Sequence, residues 1–292
     1  MTLTRRLLWP LAILLLVSSR LPAAELFYLG QKIPDIQRPW SSGDYRLLIE
    51  ALDKIDKTQV NALPRRSGEF TGPIYQRMTS PDNFKPQLNI YAPLELRQNE
   101  AREVLFQLKE LMRLYFDFKA VQQPYGAEAL GLMTYSLRQQ AILFTLTTEF
   151  WMTLAASEQG SPIRLKGLGE TKAAAAMLTS SAIDYLDLTK QFDREELVLY
   201  SAELAKQMPD LFVHLPQPVR VDLLTRIEAL SRQHAYSEVR SNMADLLPVL
   251  STIQEDVSRQ LAKPAPGTAP AKALDLTLPA SEETPALPAG KP

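Results

Sequence analysis

Apolar residues recur every three or four positions along most of this chain, a period that is buried only when helices pack against one another. Ser42 to Val60 places Tyr45, Leu48, Ile49, Leu52 and Ile55 on one helical stripe, with Ser41 or Ser42 as its cap. Pro93 to Val121 opens with a proline suited to a first turn and Glu95 near the positive dipole end. It then repeats Ala101, Val104, Leu105, Leu108, Leu111, Met112, Tyr115 and Phe118. Glu128 to Ala156 is the next helix. Its second half, from Ala141, has no polar face and is expected at the centre of the bundle, buried all round. Helices over Thr171 to Phe192, Arg194 to Met208, Pro218 to Ala235 and Glu238 to Leu261 follow. Gly160, Pro162, Pro209, Pro216 and Pro218 act as stops, and Pro248 as a kink.

No alternating run is long enough for a sheet, and no repeat recurs as a solenoid requires. The expected fold is therefore all-α, an irregular bundle of six to eight helices with a long proline-stiffened loop and a disordered C-terminal tail. The helical domain runs over 42–262, with Glu158 to Gly169 as a sub-boundary, and 25–41 reads as an extended segment.

Both ends read differently from the middle. Arg5 and Arg6 precede an apolar run from Leu7 to Val17, then Ser18 and Ser19, then Ala23 and Ala24, the order of a secretory signal peptide over residues 1–24. The 13 uncharged residues between Arg6 and Arg20 span about 20 Å as a helix, short of about 30 Å of bilayer hydrocarbon. General export is the expected route, and a retained N-terminal anchor is the alternative. At the other end, residues 263–292 hold seven of the 22 prolines and seven alanines, too little apolar surface to offset the entropy of ordering.

Composition narrows the chemistry. Cysteine is absent, which removes disulfides, thiolate nucleophiles and cysteine-ligated metal. Loss of residues 1–24 takes Arg5, Arg6 and Arg20 from 32 bases and nothing from 33 acids, leaving a formal −4. Nucleic acid is accordingly not an expected partner. An exported chain without cysteine suggests the bacterial periplasm, since eukaryotic secreted domains more often rely on bridges. His214 and His234 lack the spacing of an HExxH zinc helix, and no GxSxG elbow is present, so neither cofactor nor metal is expected.

Three places remain for function. Asn61 to Ala92 shows no clear helical period, apart from a short helix near Ile74 to Met78. It carries Phe70, Tyr75, Phe84, Ile90 and Tyr91 among four prolines, a combination suited to a loop that presents a face to a partner. Glu149, beside Trp151 on the most apolar helix, is expected to be buried and paired with an arginine from another helix, or else to contact a ligand. Arg164, Lys166, Gly167 and Gly169 read as a basic loop before a helix near Thr171, able to hold an anion or simply a solvated linker.

The first functional expectation is a non-enzymatic helical interaction or scaffold protein that contacts an envelope protein partner through Asn61 to Ala92 and the tail. The second is a carrier that holds an apolar or amphipathic small molecule between helices near Trp151 and Glu149. The third is a carboxylate-dependent hydrolase, for which Asp193 to Glu196 offers acids.

Overall fold

The computed structural model describes residues 25–56, 62–117, 125–190 and 192–262. The signal peptide and tail expected at the two ends lie outside the described residues, as do Val60, Asn61, Phe118 and Val121. The chain begins with a hairpin, β1 (Leu26–Tyr28) paired antiparallel with β2 (Gln31–Ile33). Helices α1 (Ser42–Lys54), α2 (Gly72–Met78), α3 (Lys85–Leu88), α4 (Leu94–Asp117) and α5 (Gly126–Thr153) follow. Then come α6 (Ala156–Gln159), α7 (Pro162–Asp184), α8 (Arg194–Phe212), α9 (Gln217–Gln233) and α10 (Ser237–Ala262). Seven of these helices have 13 residues or more. The fold is the expected all-α bundle, with a two-stranded addition that the search for long alternating runs overlooked. That hairpin turns at Leu29 and Gly30, both at positive φ (47° and 79°), where glycine has no Cβ penalty.

One continuous apolar core runs from Tyr28 in the hairpin to Leu250 in α10. At the start of α1, Asp44 accepts from the Ser41 backbone N–H and hydroxyl, both at 2.8 Å, and from Arg38. Burial raises the Asp44 carboxyl, but these donors outweigh it and hold the group below the usual carboxylate range. Helix α5 packs on α4 and on α8, and α10 packs on both α8 and α9. No helix among the described residues is long and apolar enough to cross a membrane.

Several boundaries need correction. Pro209 does not stop α8, which continues to Phe212; it forfeits its own helical bond, while the residues after it can still bond back along the helix. The segment Glu158 to Gly169 is not a linker loop: α7 starts at Pro162 and is helical throughout, since a proline at the first position fits a helix and later glycines only weaken it. The most buried half of α5 is its first, from Gly126 to Gln140, whereas Ala141 onward emerges toward solvent. Leu143, Phe144 and Leu146 of that second half are still buried, whereas Phe150 and Trp151 are only partly covered and Met152 faces solvent.

Candidate functional site

The end of α5, from Phe150, comes to the surface beside a groove. Helix α7 packs on α5, α8 and α9, but a groove of about 960 Å³ separates it from α4. Small side chains on the buried stripe of α7 contribute to the gap. Of 23 residues, α7 buries only Ala175, Thr179, Ala182 and Ile183, all in its C-terminal half. The residues it offers to the groove mix short ones, Gly167, Thr171 and Ala174, with long ones such as Leu168 and Met177. A Cβ built on Gly167 or Gly169 meets nothing within 4 Å.

The walls are mostly apolar. Helix α4 supplies Leu105, Met112 and Phe116, α5 supplies Met133, Leu143, Phe150 and Trp151, and α7 supplies Leu168, Met177 and Leu178. At one end the rings of Phe116 and Tyr185 stack with centroids 4.8 Å apart. At the other, Gln98 Nε2 donates to Thr147 Oγ1 at 3.1 Å, and the Arg164 guanidinium sits 5.1 Å from the Phe150 ring centroid. Four cations line the groove, Arg102, Lys109, Arg113 and Arg164, against one acid, Glu170. Gln140 also lines it. That side chain is 1% exposed, yet its Nε2 donates to nothing among the described residues, which is costly for a buried amide.

The residues singled out in the sequence divide between groove, core and surface. Trp151 and Arg164 line the groove. Glu149 flanks it and pairs with Arg97 of α4 at 3.6 Å, the expected partner type, although its side chain is 48% exposed rather than buried. Lys166 is exposed on α7, 3.9 Å from Glu170, so the basic loop is a helix face. The candidate face at Asn61 to Ala92 is corrected most. Tyr75 and Phe84 are core residues: Tyr75 Oη donates to the Glu128 carbonyl at 2.8 Å, and Phe84 stacks on Tyr135 at 4.8 Å. Burial pushes the Tyr75 hydroxyl far above its usual range. Phe70 and Tyr91 do face solvent, at 83% and 92% exposure.

Acidic residues gather elsewhere. A depression of about 540 Å³ is lined by Glu128, Asp193, Glu195, Glu196 and Glu203 together with Arg66. Burial raises the Glu196 carboxyl. Its geometry is nonetheless that of a helix start: Glu196 N–H donates to Asp193 Oδ1 at 2.8 Å and Asp193 N–H donates to Glu196 Oε2 at 3.1 Å. That reciprocal capping box opens α8, and Glu128 accepts from the Arg66 backbone N–H at 2.8 Å. Glu128, Asp193 and Glu196 thus each accept from a backbone N–H. His234 likewise meets backbone, its Nε2 lying 2.8 Å from the Leu186 carbonyl oxygen. Among the described residues no group of three or more histidines and acids is placed to hold a metal.

Sequence reasoning missed Gln98, Gln140 and the basic residues of α4 that share the groove. A signal existed for the last: Arg102, Phe106, Lys109 and Arg113 recur at spacings of four, three and four, which puts cations along one helix edge. Comparison with protein-family models, curated proteins and solved structures finds no match.

Proposed function

We propose that this chain is a non-enzymatic carrier that holds an elongated apolar or amphipathic small molecule in the groove between α4, α5 and α7. The observation that carries this reading is the groove itself, about 960 Å³ of mostly apolar wall beside a well-packed core. Its size lies near the top of the range for small-molecule sites. A buried donor without a partner on its floor, Gln140 Nε2, suits a ligand that brings an acceptor. The exported address read from residues 1–24 puts this carrier in the periplasm under the same proposal.

Native mass spectrometry of the mature protein, isolated from its own envelope after mild crosslinking in vivo, tests it. A retained small-molecule mass is expected, and Ala174→Trp, which obstructs the groove, should weaken its retention. A second reading rests on four exposed apolar residues: Leu88 at the end of α3, Ile90 and Tyr91 in the turn before α4, and Leu96 in its first turn. Solvent-facing apolar residues in such a cluster suit a protein partner. A protein adduct whose crosslinks map to 61–92, with no small molecule retained, would replace the carrier by that interaction module.

A further inference from the structure

The charges and the single orphan donor of the groove narrow what it takes. We infer that the ligand is an anionic amphiphile, with its acyl body along the apolar walls and its acidic head against the α4 lip formed by Arg102, Lys109 and Arg113. This rests on the carrier reading and goes beyond it.

Two independent observations converge on it. The first is electrostatic: among the ionisable residues lining the groove, four cations face one acid, with Arg113 also paired to Glu110 of α4 at 3.2 Å, although the whole chain carries a formal −1. Three of the cations lie on one edge of α4, spaced by one or two turns, so a head at mid-groove meets several of them. Low-dielectric walls beneath that lip strengthen the attraction relative to open water. The second is the Gln140 amide. It is almost wholly buried, lines the groove and has an Nε2 with no acceptor among the described residues. A carboxylate or ester oxygen would satisfy it, and a hydrogen bond to a charged acceptor is the stronger kind.

A helix from a protein partner explains less. Its backbone acceptors are already bonded within the helix, so its apolar face would cover Gln140 and leave the donor unpaired. An apolar molecule with a cationic head would also satisfy nothing there and would meet like charge on the lip.

Isothermal titration calorimetry of the mature chain with dodecanoate, dodecanol and dodecyltrimethylammonium, matched in chain length, tests the assignment. Dodecanoate should bind at least about tenfold more tightly than dodecyltrimethylammonium. The surface triple variant Arg102→Gln, Lys109→Gln, Arg113→Gln should remove that preference without weakening dodecanol. Gln140→Met, which keeps length and removes the donor, should weaken dodecanoate about tenfold and leave dodecyltrimethylammonium unchanged. A readout needing no variant is salt: raising ionic strength should loosen dodecanoate and spare dodecanol. Equal affinity for all three probes would overturn the anionic selectivity while supporting the carrier. Binding of none would overturn both. A preference that survives the triple variant would overturn the α4 lip.

Discussion

Helices α7 and α10 are of similar length, 23 and 26 residues, and the bundle treats them oppositely. On α10, Val239, Met243, Leu246 and Leu250 recur at three- and four-residue spacing and are all fully or nearly fully buried. On α7 the buried positions are Ala175, Thr179, Ala182 and Ile183, while Ile163 and Met177 stand 79% and 72% exposed. Large side chains on the inward stripe close a helix onto its neighbours. Small ones hold it at one end and leave a gap, and here the gap is the candidate site.

That contrast can be broken from either side. Truncation in the closed region should act most strongly. Met243→Ala is expected to cost about 2–5 kcal/mol of stability, whereas Met177→Ala should cost well under 1 kcal/mol, since an exposed side chain loses little burial. Urea titration of both variants compares them, and equal losses would mean that α7 is as tightly packed as α10. The next test uses two neighbours. Ala175 is fully buried and Ala174 faces the groove. Ala175→Phe should destabilise by about 1–3 kcal/mol through overpacking. Ala174→Phe should leave the melting temperature nearly unchanged while blocking the ligand.

Smaller effects sharpen the picture. Gly167→Ala and Gly169→Ala add a Cβ that meets nothing and should each stabilise α7 by about 0.5–1 kcal/mol. A loss of binding in either variant would show that the groove needs a pliant wall. The smallest effect concerns His214, whose ring stacks on Phe144 of α5 with centroids 5.1 Å apart. Burial lowers its pKa, with Lys172 of α7 pushing the same way and Asp210 opposing. The folded group therefore takes up a proton less readily than the unfolded one. Its contribution is fully present above the unfolded pKa of about 6.5 and diminishes as pH falls below it. The melting temperature should drop between about pH 7 and 5, and His214→Gln should flatten that slope.

The helical architecture was legible because the leucine stripes of α4 and α10 and the proline near the start of α4 are local signals. So was the pairing type of Glu149, since a carboxylate on an apolar helix wants an arginine. The groove was not legible, for a reason specific to these residues. Ala141 to Trp151 reads as an all-round apolar helix, and such a helix normally lies at the centre of a bundle. Whether its neighbour reaches it depends on the size of side chains on α7, more than ten residues downstream and uninformative in their own hydropathy. Tyr75 and Phe84 misled in the opposite direction. Proline-rich aromatic segments look presentable, but the Tyr75 hydroxyl and the Phe84 ring find partners only through α5, which local sequence does not reveal.

The seat of Tyr75 has a dynamic consequence. Its hydroxyl donates to the Glu128 carbonyl beside Gly131, where an added Cβ would collide with it. The missing side chain is thus a notch, and the tyrosine a pin set into it. With only seven residues, α2 is too short to persist alone, so it opens and closes with the first half of α5 as one cooperative unit. Met133, which the groove takes from that half of α5, is held in place by the same unit.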